Sequence, residues 1–233
     1  MEAALANPRR DNAHRLVLAP GRTLAGAPPP GRRWPEAETL DNREIDRLLP
    51  QGAVHQGYAL LPTPLDPPAL EEIAAPAEGV ILMLDQVTDP QNIGSILRSA
   101  AAFGARGVIL QERHAPPLSG ALAKAAAGAA DVVPIARVVN LSRALDRLSE
   151  LGWRAVGLAG AADQALDEVL DGSATVLVLG SEGEGLRRLV AEHCDTVARI
   201  AMAEGFESLN VAAAAAVALY QAAQLARTAN HIA

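Results

Sequence analysis

The chain has 233 residues, enough for one large domain or two domains of unequal size. Half of the residues are hydrophobic but only 3% are aromatic, so we expect a large core of aliphatic side chains. The single cysteine, Cys194, excludes an internal disulfide and a cysteine-rich metal site, and it is typical of a cytoplasmic protein. The sequence shows no secretory signal pattern and predicts no membrane span or metal site.

The net charge of −7 is distributed unevenly. Residues 1–34 contain six arginines and two carboxylates, so residues 35–233 carry a net charge of −11. This distribution argues against a protein that binds polyanions over its whole surface. It is compatible with local contact between the N-terminal segment and nucleic acid, although a solvated charged surface has the same composition.

Residues 1–65 predict a small α/β unit, and residues 66–78, which hold three prolines, predict an interdomain linker. The proline- and glycine-rich stretch 21–35 predicts a loop. Within the first unit the predicted helices are 3–5 and 43–49, and the predicted strands are 14–19 and 58–61.

From residue 79 to residue 233, apolar runs alternate with helical patterns, which predicts a parallel, doubly wound α/β sheet covered on both faces. The predicted strands are 80–84, 107–110, 132–135, 155–158, 176–179 and 198–202. The predicted helices are 93–103, 120–127, 142–151, 165–170, 186–193 and 209–226.

The first of three polar turns, residues 89–94 (DPQNIG), follows the strand predicted at 80–84. Asn92 suits the N-cap of the helix that follows. Gly94 lies in the first helical turn, where glycine costs about 1 kcal/mol relative to alanine, so we expect another group to approach the backbone closely there. Arg98 follows on the same helix, among apolar and small residues.

The second turn, residues 180–185 (GSEGEG), follows the most apolar predicted strand and is expected to open a helix at Leu186. It matches neither a dinucleotide fingerprint nor a Walker loop. Its two carboxylates, Glu182 and Glu184, would repel bound phosphate, so the loop favours a neutral or cationic ligand. S-adenosylmethionine carries a sulfonium and no phosphate, and it fits this requirement better than a nucleotide.

The third turn, residues 202–211, places Ser208 and Asn210 just before a long alanine-rich helix. A serine cap is the plain structural interpretation. In a parallel sheet such turns gather at one edge, beyond the carboxyl ends of the strands, so we expect the three turns to form a single site.

The order, spacing and residue types of the three turns resemble the motifs of the SpoU/TrmH family of RNA ribose 2'-O-methyltransferases over about residues 79–227. The resemblance implies a SPOUT-type domain with a trefoil knot, a homodimer and S-adenosylmethionine as the methyl donor. The catalytic residues that it implies are Asn92, Arg98, Glu182, Ser208 and Asn210. The cofactor-binding residues that it implies are Leu179, Gly180, Ser181, Gly183, Ile200, Met202, Ser208 and Leu209.

In the implied reaction Arg98 acts on the ribose 2'-hydroxyl, either by stabilising its developing charge or by accepting its proton, with Glu182 orienting the guanidinium.

Residues 3–10 (AALANPRR) and 55–57 (HQG) resemble the ribosomal-protein-like RNA-binding domain of the RlmB-type members, which methylate a guanosine of 23S rRNA. The chain begins without the first strand of that domain, so we expect a shortened version of it. We expect RNA contacts from arginines of this segment, namely Arg9, Arg10, Arg32 and Arg33.

Three positions differ from the family pattern: Ala201 replaces proline, Glu204 replaces glycine and Ala212 replaces serine. They motivate one alternative, a non-catalytic RNA-binding or ribosome-assembly protein that keeps the fold. A tRNA 2'-O-methyltransferase and a nucleotide-dependent α/β enzyme are further alternatives, the latter disfavoured because the phosphate fingerprints are missing.

Overall fold

The computed structural model describes residues 1–10, 13–31, 33–113, 115–116, 120–203, 205–206 and 208–232, with side chains except at residue 13 and beyond residue 225. The chain divides into two compact units, Met1–Asp66 and Pro67–Ala233. No helix of the described residues is long and apolar enough to span a membrane.

The first unit contains a three-stranded sheet in the order β2-β1-β3. Strand β1 pairs parallel with β2 and antiparallel with β3. Val17 of β1 and Ile45 of α2 lie in the core of the unit. The sequence analysis missed β2 because its three residues are all exposed and show no apolar alternation. The elements are α1 (Glu2–Ala6), β1 (Ala13–Leu18), β2 (Ala37–Thr39), α2 (Asn42–Leu48) and β3 (Tyr58–Pro62).

The second unit contains a seven-stranded parallel sheet in the order β6-β5-β4-β9-β7-β10-β8, which confirms the predicted fold class. Its strands are β4 (Val80–Leu84), β5 (Gly107–Gln111), β6 (Ile135–Val138), β7 (Arg154–Leu158), β8 (Gln164–Ala165), β9 (Thr175–Leu179) and β10 (Thr196–Arg199). Its helices are α3 (Leu70–Ala74), α4 (Pro90–Ala102), α5 (Gly120–Ala125), α6 (Leu141–Glu150), α7 (Leu166–Val169), α8 (Arg188–Glu192) and α9 (Val211–Ile232).

Each face of this sheet is covered by its own hydrophobic cluster. Alternate residues of β4 point to opposite faces, so that Leu82 joins the cluster containing α4, α5 and α9, and Met83 joins the one containing α3 and α6. Every residue of the central strand β9 is buried, because helices cover both faces. The trefoil knot implied by the family resemblance stays a prediction.

Two predicted strands are displaced along the chain. The strand predicted at 132–135 begins only at Ile135, because residues 129–131 form a short 3-10 turn and Pro134 follows it. The strand predicted at 198–202 ends at Arg199, where its pairing with the two-residue β8 ends. Residues 200–203 are therefore irregular, although all four are apolar.

The predicted linker, residues 66–78, contains the short helix α3, and part of it belongs to the second unit. Ile73 and Ala74 are buried in that unit's core. The indole nitrogen of Trp153 donates to the carbonyl of Ala74 at 2.8 Å. The proline content predicted a linker here and did not reveal the short helix within it.

Two helix starts also differ from expectation. Asp89, not Asn92, is the N-cap of α4: its side chain accepts from the backbone N–H of Gln91 at 3.0 Å, and Pro90 occupies the first helical position. Helix α8 begins at Arg188, two residues after the predicted start. Asn92 is thereby free of the capping role and available for other contacts.

The expected close approach at Gly94 is confirmed, and the approaching group is helix α5. A Cβ atom at position 94 would lie 2.4 Å from the Cβ of Ala125 and 2.8 Å from the backbone nitrogen of Ala126. Both distances are too short for any side chain, so glycine is required where α4 crosses α5.

We expect Gly94→Ala to lower the free energy of unfolding by about 1–3 kcal/mol, because the backbone of α5 must move to admit the methyl group. Urea unfolding of the purified protein measures this change. Gly120→Ala is the matched control, since a Cβ at position 120 meets no atom of the described residues within 4 Å. Equal stabilities of the two variants would contradict the steric explanation.

Candidate active site

The three polar turns lie at one edge of the second unit's sheet, as expected. The first follows β4, the second follows β9, and the third lies between β10 and α9. Strands β4 and β9 are neighbours, and β7 alone separates β9 from β10. Because the strands are parallel, all these turns start from the same end of the sheet.

Three of the predicted catalytic residues are joined directly by hydrogen bonds. The Asn92 amide donates to Glu182 Oε1 at 3.2 Å, and the Asn210 amide donates to Asn92 Oδ1 at 3.0 Å. The Asn210 amide also donates to Glu182 Oε1. Residues from all three turns therefore form one cluster, which we call the Asn92–Glu182–Asn210 cluster.

The cluster is also the N-terminal cap of α9. Asn210 Oδ1 accepts from the backbone nitrogens of Ala212 at 2.9 Å and Ala213 at 3.4 Å. Glu182 Oε1 accepts from the backbone nitrogen of Val211 at 3.3 Å. The carboxylate thus lies at the positive end of a 22-residue helix and accepts from one of the backbone N–H groups that have no partner within the helix. The serine cap expected from the sequence is replaced by an asparagine cap.

The second turn is a tight loop whose ends touch. The backbones of Ser181 and Gly185 exchange hydrogen bonds of 3.2 and 3.0 Å. A Cβ atom at Gly180 would lie 2.0 Å from the carbonyl carbon of Gly185, so no side chain fits there. Gly183 and Gly185 have φ angles of 90° and 68°, in the left-handed region that favours glycine. The glycines thus shape a loop that presents Glu182 to the other two turns.

An ion pair that the sequence analysis missed, between a buried carboxylate and a partly exposed arginine, lies beside this loop. The carboxylate of Asp85, which is fully buried, accepts from Arg187 Nε at 2.7 Å and from the Arg187 backbone nitrogen at 2.9 Å. Arg187 Nη2 also donates to Gln111 at 3.0 Å. A carboxylate directly after an apolar strand could have indicated a buried charge that needs a partner. The partner lies 102 residues away and could not be read from the local sequence.

Arg98 is not part of the cluster. It is exposed, and it lies six residues after Asn92, roughly 240° around α4 at 3.6 residues per turn. Among the contacts of the described residues, none is a hydrogen bond or ion pair of its side chain. The expected contact between Glu182 and Arg98 is likewise not among them, since Glu182 Oε1 accepts from Asn92, Asn210 and Val211.

The predicted cofactor-binding residues lie in segments that leave β9 and β10. Leu179 is buried at the end of β9, and Ile200 and Met202 are half-buried after β10. Ser208 and Leu209 are exposed beside the cluster. Two residues of the third turn, Glu204 and Glu207, lie outside the described residues.

These segments fit a ligand without phosphate. They present peptide groups and the exposed carboxylate of Glu184, while the nearby Arg187 is paired with Asp85. The peptide carbonyl oxygens and the carboxylate suit the positively charged sulfonium and amino groups of S-adenosylmethionine. The described residues contain no group of three or more histidine, cysteine or acidic side chains that could hold a metal ion.

The predicted RNA contacts belong to the first unit. Arg9 donates to the carbonyl of Asp66 at 3.1 Å, and Arg10 donates to the carbonyl of Thr63, so both tie the N-terminal segment to the residues after β3. Arg9 and Arg33 are exposed. Arg32 lies outside the described residues.

The 55–57 segment of the first unit forms a turn held by its histidine. His55 Nδ1 accepts from the backbone nitrogen of Gly57 at 3.0 Å, and His55 Nε2 lies 3.1 Å from Asp46 Oδ1. Gln56 and Gly57 have φ angles of 55° and 86°. This turn lines a surface groove together with Arg22 and the start of α2.

Comparison with known proteins identifies the family. Residues 79–220 match the family model described as the SpoU rRNA Methylase family. The chain is 42% identical, over 78% of its length, to the 23S rRNA (guanosine-2'-O-)-methyltransferase RlmB of Pseudomonas aeruginosa, and covers 74% of that protein. It is 39% identical over 82% of its length to an uncharacterized tRNA/rRNA methyltransferase of Mycolicibacterium vanbaalenii, and spans 62% of that relative.

Solved structures agree with the sequence relatives. A TrmH-family RNA methyltransferase of Porphyromonas gingivalis, described as putative, superposes with a TM-score of 0.73 at 27% identity, over 97% of this chain and 88% of the other. The SpoU methyltransferase AviRb of Streptomyces viridochromogenes, in complex with AdoMet, gives a TM-score of 0.72 at 26% identity, over 91% and 82% of the two chains.

The fold, the motif geometry and these matches define a SPOUT-class methyltransferase. The chain belongs to the SpoU rRNA methylase family. The resemblance read from the three turns is confirmed.

We expect Glu182→Gln to lower the rate of methyl transfer by about 100-fold, because a neutral amide oxygen holds the three donors more weakly than a carboxylate and the cluster shifts. It should also lower the melting temperature, since the α9 cap loses its charge. Methyl incorporation into ribosomal RNA and thermal unfolding measure the two effects. Glu184→Gln, in the same loop but outside the cluster, should leave the melting temperature unchanged. A Glu182→Gln protein as active as the wild type would remove Glu182 from the active site.

Proposed function

We propose that this protein transfers the methyl group of S-adenosylmethionine to the ribose 2'-hydroxyl of a guanosine in 23S rRNA. The observation that carries the proposal is the hydrogen-bonded Asn92–Glu182–Asn210 cluster, in which the three family motifs meet. The 42% identity to an enzyme named as a 23S rRNA (guanosine-2'-O-)-methyltransferase supports the choice of substrate. Methylation of ribosomal RNA also implies a cytoplasmic protein.

The methyl donor would be held by the loop 180–185 and by the segments around Ile200, Met202 and Leu209. When bound, S-adenosylmethionine supplies an electrophilic methyl group on a sulfonium. Tight backbone turns approach a flat or extended ligand more closely than side chains allow, and Gly180 and Gly183 make such a turn here.

The reaction forms a bond between the ribose 2'-oxygen and the methyl carbon and breaks the carbon–sulfur bond, with release of S-adenosylhomocysteine and of the hydroxyl proton. The residues of this chain contribute orientation and electrostatics. Arg98, exposed and without a described partner, is available to stabilise negative charge on the attacking oxygen. The cluster orients the segments on which its three members lie.

The alternative of a non-catalytic scaffold rested on the changed third motif. Ala212 replaces the usual serine, yet its backbone nitrogen donates to Asn210 Oδ1 at 2.9 Å, so the helix cap does not need the hydroxyl. Ala201 is exposed and lies outside regular structure. Neither change disrupts the cluster, which favours the enzyme over the scaffold.

Arg98→Ala should abolish methyl transfer and leave the affinity for S-adenosylmethionine nearly unchanged, because its interaction arises with the reacting hydroxyl. Arg98→Lys should also be poor, since an ammonium cannot reproduce a planar guanidinium. Single-turnover rates with rRNA and calorimetry with the methyl donor separate the two steps. Arg143→Ala, on the surface of α6, is the control. Equal loss of cofactor binding and of rate in Arg98→Ala would show a structural role instead.

We also propose that the second unit forms a homodimer through α9 and the helix that carries Arg98. The inner face of α9 packs on the core through residues such as Ala215 and Leu219. Its outer face carries Val217 and Tyr220, which are 38% and 51% exposed. An apolar stripe on an exposed helix face is typical of a subunit interface.

Val217→Arg should convert the dimer to a monomer, because a charge replaces apolar surface at the centre of the stripe. Light scattering at micromolar protein measures the mass. Val139→Arg is the matched control, since Val139 is an exposed valine in the turn after β6, away from α9. A monomeric wild-type protein would contradict the dimer proposal.

We further propose that the first unit contributes RNA affinity rather than catalysis, since residues 1–34 hold six arginines. Exposed arginines such as Arg33 are available for phosphate contacts, whereas Arg15 is paired with Glu38 through bonds of 3.0 and 2.7 Å.

Arg33→Ala should weaken RNA binding and flatten its dependence on salt by roughly 0.7–0.9 in the logarithmic slope, the value for one lost phosphate contact. Binding of an rRNA fragment over a salt series measures the slope. Arg15→Ala, with its guanidinium already paired, should change the slope less. If both variants kept the wild-type slope, these arginines of the first unit would not contact phosphate.

A further inference from the structure

Asp85 holds both ends of the loop that carries Glu182. At the start of the loop, the backbone nitrogen of Asp85 donates to the carbonyl of Leu179 at 2.7 Å. At its end, both carboxylate oxygens of Asp85 accept from Arg187, one from the side chain and one from the backbone nitrogen. The residues on either side of the 180–186 loop are thus both bonded to Asp85, at the end of β4.

The carboxylate of Asp85 is fully buried, and its charged partner is the side chain of Arg187, which is 44% exposed. Removing Arg187 would leave the buried carboxylate without its charged partner, which is more costly than losing a pair between two exposed side chains. The Arg187 guanidinium is held on a second side by Gln111, which in turn accepts from Gln86 at 3.2 Å. The geometry of the pair is therefore fixed from β4, from β5 and from the loop itself.

The loop connects the Asp85–Arg187 ion pair to the active site. Ser181 and Gly185 close the loop through their backbones, and Glu182 lies at its tip, bonded to Asn92 and Asn210. A shift of Arg187 away from Asp85 would free the end of the loop and displace Glu182 with it.

We propose that the Asp85–Arg187 ion pair is a positioning device that fixes the 180–186 loop in the shape that binds the methyl donor and orients Glu182. Neither residue touches a reacting atom, so both act through the loop. This inference rests on the proposed function, because it assigns a role within the same site.

Cys194 provides a natural reporter of the loop. It is the only cysteine of the chain, and its Sγ and the side chain of Leu186 lie over Gly157, where a Cβ would be 3.2 Å from the one and 2.8 Å from the other. Burial, with smaller contributions from Asp195 and Asp85, raises the pKa of the Cys194 thiol to about 12. A thiol in this state reacts slowly at neutral pH, and opening the loop at Leu186 would expose it.

The experiment measures two quantities in the full-length protein: the dissociation constant for S-adenosylmethionine by calorimetry and the rate of Cys194 labelling by a disulfide reagent. The variants are Asp85→Asn and Arg187→Gln, each studied well below its melting temperature. We expect the dissociation constant to rise about tenfold or more, as for loss of a charged hydrogen bond, and the labelling rate to rise with it.

Arg187→Lys is a milder variant that still tests the inference if Asp85→Asn or Arg187→Gln does not fold. It keeps a positive charge beside Asp85 and the bond from the backbone nitrogen, but one ammonium cannot reproduce the fixed fork that reaches both Asp85 and Gln111. We expect an intermediate dissociation constant and labelling rate.

Arg154→Gln is the matched control, because it removes another arginine that ties a strand to a loop. Arg154 donates to the carbonyl of Val169 at 2.7 Å and to Asp171 at 3.3 Å, at the start of β7 and away from the ligand edge. It should lower stability and leave both readouts at the wild-type value.

Wild-type affinity in both Asp85→Asn and Arg187→Gln would overturn the inference, as would an equal loss of affinity in Arg154→Gln. A wild-type protein that is folded but does not bind S-adenosylmethionine would contradict the proposed function instead. The two failures are therefore distinguishable.

Discussion

One carboxylate oxygen, Glu182 Oε1, joins parts of the chain that are far apart in sequence. It accepts from Asn92, 90 residues earlier, and from Asn210, 28 residues later, and it also accepts from the backbone at the start of α9. Three donors around one oxygen satisfy a charged group that would otherwise depend on water. The relative placement of the three motifs depends on this contact.

Small residues make that placement possible. Gly94 allows α5 to cross α4 in backbone contact, and Gly180 allows the second turn to fold back on itself. The inner face of α9 is mostly alanine, so the helix lies close to the sheet, with Ala215 and Ala218 fully buried. An interior with few aromatic side chains is therefore packed by close approach of backbones rather than by large side chains.

The sequence predicted the parallel sheet and the turns that form the site, because apolar runs and polar turns are local patterns. The predictions were less accurate where a local pattern had two possible outcomes. Val132 and Val133 suggested a strand, but Gly128 and Pro134 place them in a turn. Asn92 suited a helix cap, but Asp89 occupies that position and leaves Asn92 for the cluster.

Other features could not be read from the sequence because they join distant segments. Nothing local to Asp85 indicates Arg187 as its partner, and the exposed β2 has no pattern of its own. The family resemblance predicted catalytic residues in all three turns but not the hydrogen bonds that join Asn92, Glu182 and Asn210, and the contact that it implied between Glu182 and Arg98 is not among the described hydrogen bonds. Pairings between distant segments are set by the assembled sheet rather than by any one stretch of sequence.

The position of β9 also has a consequence for synthesis on the ribosome. Strand β4 lies between β5 and β9, and it pairs with β9 only after the intervening helices and strands have been made. Until then one edge of a very apolar strand has no partner, a state that favours aggregation and slow folding. Because α9 and Asn210 follow later still, a nascent chain cannot assemble the active site before nearly all of the second unit has left the exit tunnel.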